Sequence, residues 1–306
     1  MKGIILAGGS GTRLYPITKA TSKQLQAIYD KPMIYYPLAT LMTAGINDIL
    51  LITTEEDQPG FKRLFGDGSE FGLNLEYKIQ PSPDGLAQAF LLGEEFIGDD
   101  TAAMVLGDNI FYGAGLEEKL KEARKNAEDG FATIFGYQVV DPERFGIMEF
   151  DNEMNVIGVE EKPEKPKSDF AITGLYFYPK GISEKAKLVK PSARGELEIT
   201  DLNDIYLKEN RLKAQLLGEG YTWYDTGTHD SMDDASKMIR SIQKQGNRII
   251  CCLEKIAYDN RWIGKEELEK AAEEMKKNDY GKYLAKILKN TKYRQELLWK
   301  KLKQIY

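Results

Sequence analysis

At 306 residues, with 42% of them hydrophobic and a formal charge of −6, the chain can bury a substantial core as one large α/β domain or two ordinary ones. No stretch combines the dense Lys/Arg clusters and interleaved aromatics that a nucleic-acid surface needs, and no apolar run approaches the roughly 20 residues of a membrane span. The only cysteines, Cys251 and Cys252, are neighbours that supply neither a disulfide framework nor a metal-ligand spacing. A reducing, cytoplasmic setting is therefore expected.

The chain opens on a strand-like "KGIILA", whose apolar part is too short for a signal peptide and runs straight into glycines. A helical "MIYYPLATLMTAG" follows, then "DILLIT", a helical "DQPGFKRLFG", the strand-like "LNLEYKIQ", a helical "GLAQAFLLGEEFIG" and "TAAMVLGD". Short apolar runs separated by amphipathic helices predict a doubly wound, mainly parallel sheet, with ligands outside the carboxyl ends of its strands. Beyond Gly130 the segments "FATIFGYQVV", "RFGIMEFD", "NVIGVEEKP" and "FAITGLYFYP" have few helices between them, which predicts added antiparallel strands and a lid over the site. After "RLKAQLLGEGYTWYDTG" the remainder reads as helices starting at Asp230 or Ser231, with Lys282 to Lys303 as a solvated basic face.

The loop "GIILAGGSGTRLYPIT" is the first candidate for chemistry. It has no Gly-Lys-Ser/Thr at the spacing of a P-loop, and Leu14 stands where a dinucleotide fingerprint needs its third glycine. Consecutive small residues nevertheless let backbone N–H groups approach an anion, while Thr12 offers a hydroxyl and Arg13 a planar fork for phosphate oxygens. Asp108 and Asp225 each end a strand-like run, and two such carboxylates can share a magnesium ion that keeps phosphate oxygens and water as its other ligands. In "QPSPDGLAQ", the Gln80 amide can pair with donor and acceptor edges of a pyrimidine, and Gly85 lets the backbone meet the base closely. "EEKP" supplies Glu161 for sugar hydroxyls and Lys162 for a phosphate, although by itself such a triplet reads as a solvated face.

Taken together, "LAGGSGTRL", "YDKPMIYYPL", "QPSPDGLAQAF", "VLGDNIFYG", "EEKPEKPKS", "ITGLYFY", "RGELEITD" and "YDTGTHDS" make residues 1 to about 290 resemble the sugar-phosphate nucleotidyltransferases, and within them the glucose-1-phosphate thymidylyltransferases. The resemblance implies a Rossmann-like doubly wound mixed sheet with an inserted antiparallel sugar-binding part and a helical C-terminal appendage. In residue numbers, a core spans 1–240, with nucleotide binding in 1–130 and sugar-phosphate binding in 131–228, and a helical region at 241–306 serves assembly and regulation. It also implies that glucose 1-phosphate attacks the α-phosphorus of dTTP directly, giving dTDP-glucose and pyrophosphate, the first step toward dTDP-rhamnose.

Matching positions give the implied roles. Leu6, Gly8, Gly9, Ser10, Gly11, Thr12, Arg13, Lys23, Gln24, Gln80, Pro83, Gly85 and Asp108 meet the nucleotide. Asn109, Phe145, Gly146, Glu161, Lys162, Ile172, Gly174 and Tyr176 meet the sugar phosphate. Asp108 and Asp225 hold Mg²⁺. Arg13 stabilises the transition state, Lys23 contacts phosphates, and Lys162 places the nucleophilic phosphate. A homotetramer inhibited by dTDP-L-rhamnose is implied as well. The chain departs from the family at Gln26-Ala27, where Pro is usual, at Phe145, where Tyr is usual, and in the tail from residue 290, read as an extra helix. The rival readings are the same transfer with UTP or another sugar 1-phosphate, and a non-catalytic sensor on the same fold, which would be expected to lose Arg13, Asp108 or Asp225.

Overall fold

The computed structural model describes residues 1–9 and 11–302, the last twelve of these as backbone alone. In chain order the strands are β1 (Lys2–Ala7), β2 (Ala27–Ile28), β3 (Lys31–Pro32), β4 (Asp48–Thr53), β5 (Asn74–Ile79), β6 (Ala102–Leu106), β7 (Asn109–Gly113), β8 (Ala132–Gln138), β9 (Gly146–Phe150), β10 (Val156–Glu161), β11 (Phe170–Tyr178), β12 (Leu212–Leu217) and β13 (Tyr221–Asp225).

The apolar runs of β1, β4 and β6 have no polar alternation because both faces of their sheet are covered. Ile5, Ile49, Leu51, Ala103 and Val105 enter the core on one face, while Ile4, Leu6, Leu50, Ile52, Ala102 and Met104 enter the core on the other. Each such Ile or Leu side chain contributes about 1.5–3 kcal/mol by leaving water. β1 lies between β4 and β6, parallel to both, and β5 extends the β4 side. The sheet therefore winds in opposite directions from β1, and the crevice beyond the carboxyl ends of β1 and β6 is the topological switch point where such folds bind ligands.

Apart from β13, the strands beyond Gly130 join the central sheet. β11 pairs antiparallel with β6, β8 and β9, so the added strands prolong the central sheet to nine members in the order β10-β9-β11-β6-β1-β4-β5, with β8 and β12 branching from β11. β12 runs parallel to β8, contrary to the antiparallel expectation for this half. A register shift between Ile172 and Tyr176 lets β11 serve two sets of partners. β13 pairs with β7 in a small two-stranded sheet of its own.

Two helix expectations are also corrected. "GLAQAFLLGEEFIG" is two short helices, Gln88–Leu92 and Glu94–Ile97, divided at Gly93. A Cβ there would sit 3.2 Å from Ile4 and 3.3 Å from Leu50, so the break goes with close approach to the sheet. The first C-terminal helix starts at His229, earlier than expected, because Thr228 caps it by accepting from the Ser231 amide while the Ser231 hydroxyl accepts from the Thr228 amide. That helix runs through Gly246, and Leu253–Asp259, Lys265–Glu274 and Asp279–Leu302 complete the helical end. The side chains expected on the extra tail helix lie outside the described residues.

Candidate active site

Asp108 occupies the turn between β6 and β7, at the switch point. Its backbone oxygen accepts from the Thr226 hydroxyl at 2.7 Å and amide at 3.2 Å, and its Oδ1 accepts from Asn109 Nδ2 at 2.9 Å. Asn109 is itself fixed, since its Oδ1 accepts from the Gly174 amide at 3.0 Å and Trp223 Nε1 at 2.6 Å. The β7–β13 register sets Asp225 opposite Asn109, which brings the second carboxylate beside the first.

Lys23 pairs with Asp108 through Oδ2, a contact that the spacing of the two residues in the chain does not announce. Burial opposes ionisation of Asp108 more than any one neighbour favours it, but the charge and hydrogen bond of Lys23, with the Asn109 amide and a backbone hydrogen bond, together hold the carboxyl below its ordinary value. Asp225 behaves in the opposite way, its carboxyl raised by burial and then by the Asp108 charge, with Lys23, Arg13 and Arg144 only partly offsetting this. Among the described residues no hydrogen bond or ion pair is made by the Asp225 side chain. A half-buried carboxylate beside a second one, without an ion pair of its own, could hold a hard divalent cation, which takes substrate oxygens and water as its remaining ligands.

Every residue expected to meet the nucleotide lines one cavity of about 430 Å3, apart from Ser10, which lies outside the described residues. Leu6, Gly8, Gly9, Gly11, Thr12, Arg13, Lys23 and Gln24 come from β1 and the loop after it, Gln80, Pro83 and Gly85 from the loop after β5, and Asp108 from the end of β6. The glycines are there for room. A Cβ on Gly8 would lie 2.0 Å from Gln80 Oε1, and Gly85, at φ +107°, has no space for one because the Leu197 backbone oxygen would be 2.4 Å away.

Every residue expected to meet the sugar phosphate lines a second cavity of about 300 Å3: Asn109, Phe145, Gly146, Glu161, Lys162, Ile172, Gly174 and Tyr176, joined by Asp225. Thr200 donates to Glu161 Oε2 at 2.5 Å, and Arg194 binds Glu198 through both carboxylate oxygens at 2.9 Å while reaching Glu161 at 3.3 Å. Lys162 holds φ +44°, a backbone conformation that costs a non-glycine residue free energy and is concentrated at functional sites. Phe145, half-buried in this lining, packs edge-on against Trp223 with ring centroids 5.3 Å apart, so it gives the wall an aromatic ring without a hydroxyl.

Sequence reasoning assigned no role to Arg144, Arg194, Glu196, Glu198, Thr200 or Trp223, all in the lining of this second cavity. One signal was available: "RGELEIT" places Glu196 and Glu198 two apart on an extended stretch, the spacing that sends side chains to one side. Arg13, Leu86, Leu106, Asp108 and Glu196 line both cavities, which therefore meet across Asp108. His229 is exposed on the first turn of its helix and reaches neither carboxylate.

Comparison with known proteins gives the family and the fold. The family model for nucleotidyl transferases matches residues 2–242. The chain is 58% identical over 289 residues to a glucose-1-phosphate thymidylyltransferase of Neisseria meningitidis, covering 94% of this chain and 100% of that relative. It is 51% identical to one of Mycobacterium tuberculosis, over 94% of this chain and 99% of that one. A solved structure of a candidate glucose-1-phosphate thymidylyltransferase from Bacillus anthracis, bound to sucrose, superposes with a TM-score of 0.73 at 43% identity, over 79% of this chain and 96% of that one. A UDP-glucose pyrophosphorylase bound to UDP-glucose follows at TM-score 0.69 and 25% identity, over 78% of this chain and 98% of that one. The chain belongs to the nucleotidyl transferase family, among the glucose-1-phosphate thymidylyltransferases.

Proposed function

We propose that the two cavities hold dTTP and α-D-glucose 1-phosphate, and that a phosphate oxygen of the sugar displaces pyrophosphate from the α-phosphorus to give dTDP-glucose. The observation that carries this reading is the shared wall: Arg13 and Asp108 line both cavities, so the two substrates would meet there. The nucleophile is an ionised phosphate oxygen near neutral pH, and no protein base has to activate it. Catalysis then rests on positioning and charge.

In this reading Arg13, which makes no ion pair among the described residues, stabilises charge on the transferring and leaving phosphates, and Lys23 exchanges Asp108 for phosphate oxygens when the nucleotide enters. Lys162 holds the phosphate of the sugar with its backbone already strained into place, and Glu161, braced by Thr200 and Arg194, accepts from sugar hydroxyls. Asp108 and Asp225 are the residues that would hold Mg²⁺, which when bound neutralises phosphate charge. The Asp225 carboxylate, beside Asp108 and without an ion pair of its own among the described residues, supports that assignment.

The divisions at 1–130, 131–228 and 241–306 belong to the same proposal, with the last region serving a homotetramer. A further cavity of about 430 Å3, lined by Thr40, Tyr112, Arg248 and Tyr283 among others, lies against the C-terminal helices and supports a feedback site for dTDP-L-rhamnose. Two free cysteines and the absence, among the described residues, of a helix long and apolar enough to cross a membrane are consistent with the cytoplasmic setting proposed.

The test is product identification. Incubation with dTTP, glucose 1-phosphate and Mg²⁺ is expected to yield dTDP-glucose by mass spectrometry, in excess over UDP-glucose when UTP competes at equal concentration. A predominance of UDP-glucose, or of a product from another sugar 1-phosphate, would contradict the assignment.

A further inference from the structure

The amide of Gln80 is held from behind by a chain of hydrogen bonds with a fixed direction. Gln80 Nε2 donates to Gln88 Oε1 at 2.7 Å, and Gln88 Nε2 donates to Asp84 Oδ2 at 2.8 Å. The Ser82 hydroxyl donates to the same Asp84 oxygen at 2.5 Å. A carboxylate can only accept, so Asp84 must take an N–H from Gln88. Gln88 must then turn its carbonyl to Gln80, and Gln80 must leave its own carbonyl facing away. Gln80 and Gln88 are 8% and 9% exposed, which leaves water little part in the link between them, while the anchoring Asp84 is exposed. Gln80 Oε1 lies against Gly8 in the lining of the nucleotide cavity, and no donor among the described residues reaches it.

We infer that Asp84 and Gln88 are specificity-determining positioning residues, which fix Gln80 to present an acceptor to the base. A free glutamine amide can rotate and satisfy opposite hydrogen-bond patterns equally well. One locked by this chain offers a carbonyl oxygen and, beside it, the remaining Nε2 hydrogen. That edge matches a pyrimidine with a ring N–H next to a carbonyl, as in thymine and uracil. Cytosine presents a bare ring nitrogen beside an amino group, so acceptor faces acceptor and donor faces donor. The chain thus selects against cytosine and is blind to the 5-methyl group of thymine. This inference rests on the proposed function only in placing the base at Gln80.

The experiment is equilibrium binding of dTTP, dUTP and dCTP to the full chain in Mg²⁺ by calorimetry, for wild type, Asp84→Asn, Gln88→Leu and Gln80→Leu. Asparagine keeps the shape of Asp84 but can donate as well as accept. In Asp84→Asn the preference for dTTP over dCTP is expected to shrink by about tenfold, the scale of one hydrogen bond, while the dTTP to dUTP ratio stays as in wild type. Gln88→Leu is expected to relax the same preference, and should it fail to fold, Asp84→Asn, in an exposed loop, still reads the effect. If Gln80→Leu loses the preference while Asp84→Asn and Gln88→Leu retain it, the chain of control is overturned and the base site stands. If Gln80→Leu retains it, the base is not read at Gln80 and the inference falls with its placement. Because binding is read, a chain that discriminates but does not turn over would sink the transfer reaction alone.

Discussion

The two cavities that meet at Asp108 are built in different ways. The nucleotide side is made largely of loops after β1 and β5, where Gly8, Gly11 and Gly85 leave the backbone bare beside the side chains of Arg13, Lys23 and Gln80. The sugar side draws side chains from strands, a loop and a helix far apart in the chain, tied by the contacts of Glu161 with Thr200 and Arg194 and of Arg194 with Glu198. A backbone-built wall is damaged by adding an atom, whereas a side-chain-built wall is damaged by removing a partner.

Among the residues common to both walls, Asp108 is where this contrast breaks down, and it carries the largest expected effect. Asp108→Asn keeps the shape of the turn held by Thr226 and removes the charge, and kcat/KM is expected to fall by about 10³-fold or more for both substrates with an unchanged circular dichroism spectrum. Turnover near wild type would remove Asp108 from the reaction.

On the nucleotide side, Gly8→Ala adds a single carbon at 2.0 Å from Gln80 Oε1. The flexible end of Gln80 can move aside, so the fold should survive. KM for dTTP is expected to rise by about tenfold or more, with KM for glucose 1-phosphate unmoved in steady-state kinetics. On the sugar side, Thr200→Val removes a donor and leaves Glu161 Oε2 without its 2.5 Å partner. About a tenfold rise in KM for glucose 1-phosphate is expected, with dTTP unaffected. Equal effects of either variant on both substrates would erase the distinction between the walls.

A buried acid outside both walls gives the smallest effect and a control. Burial raises the Glu254 carboxyl above its ordinary 4.5, although its Oε2 accepts from the Tyr280 hydroxyl at 2.5 Å. The folded state therefore holds this proton more tightly than the unfolded state. The resulting stability is full below pH 4.5 and is lost as pH rises through the folded-state value. Glu254→Gln should gain thermal stability relative to wild type as pH increases toward neutrality, with no change in either KM. A pH-independent difference in melting temperature would contradict the burial argument.

How much of this was legible in the sequence follows the same division. The strands β1, β4 and β6 announce themselves as short apolar runs because local burial dictates their composition, and "AGGSGTRL" announces a backbone-built phosphate loop because only small residues leave amides accessible. The parallel pairing of β12 with β8 was not legible, since register between distant strands is decided by the packed sheet rather than by either segment. Nor were the Lys23 to Asp108 pair or the hold of Arg194 on Glu161, which join residues 85 and 33 positions apart. Thr228 as a helix cap was within reach, as Ser231 three residues on completes the box.

The most direct test of the account is pyrophosphate release by the purified chain with glucose 1-phosphate and either dTTP or UTP, in Mg²⁺ and again in excess EDTA. Release that needs the metal and is faster with dTTP is the predicted result. Release that persists in EDTA, or that depends on neither nucleotide, would contradict a cleft in which two carboxylates and a metal bring a sugar phosphate to dTTP.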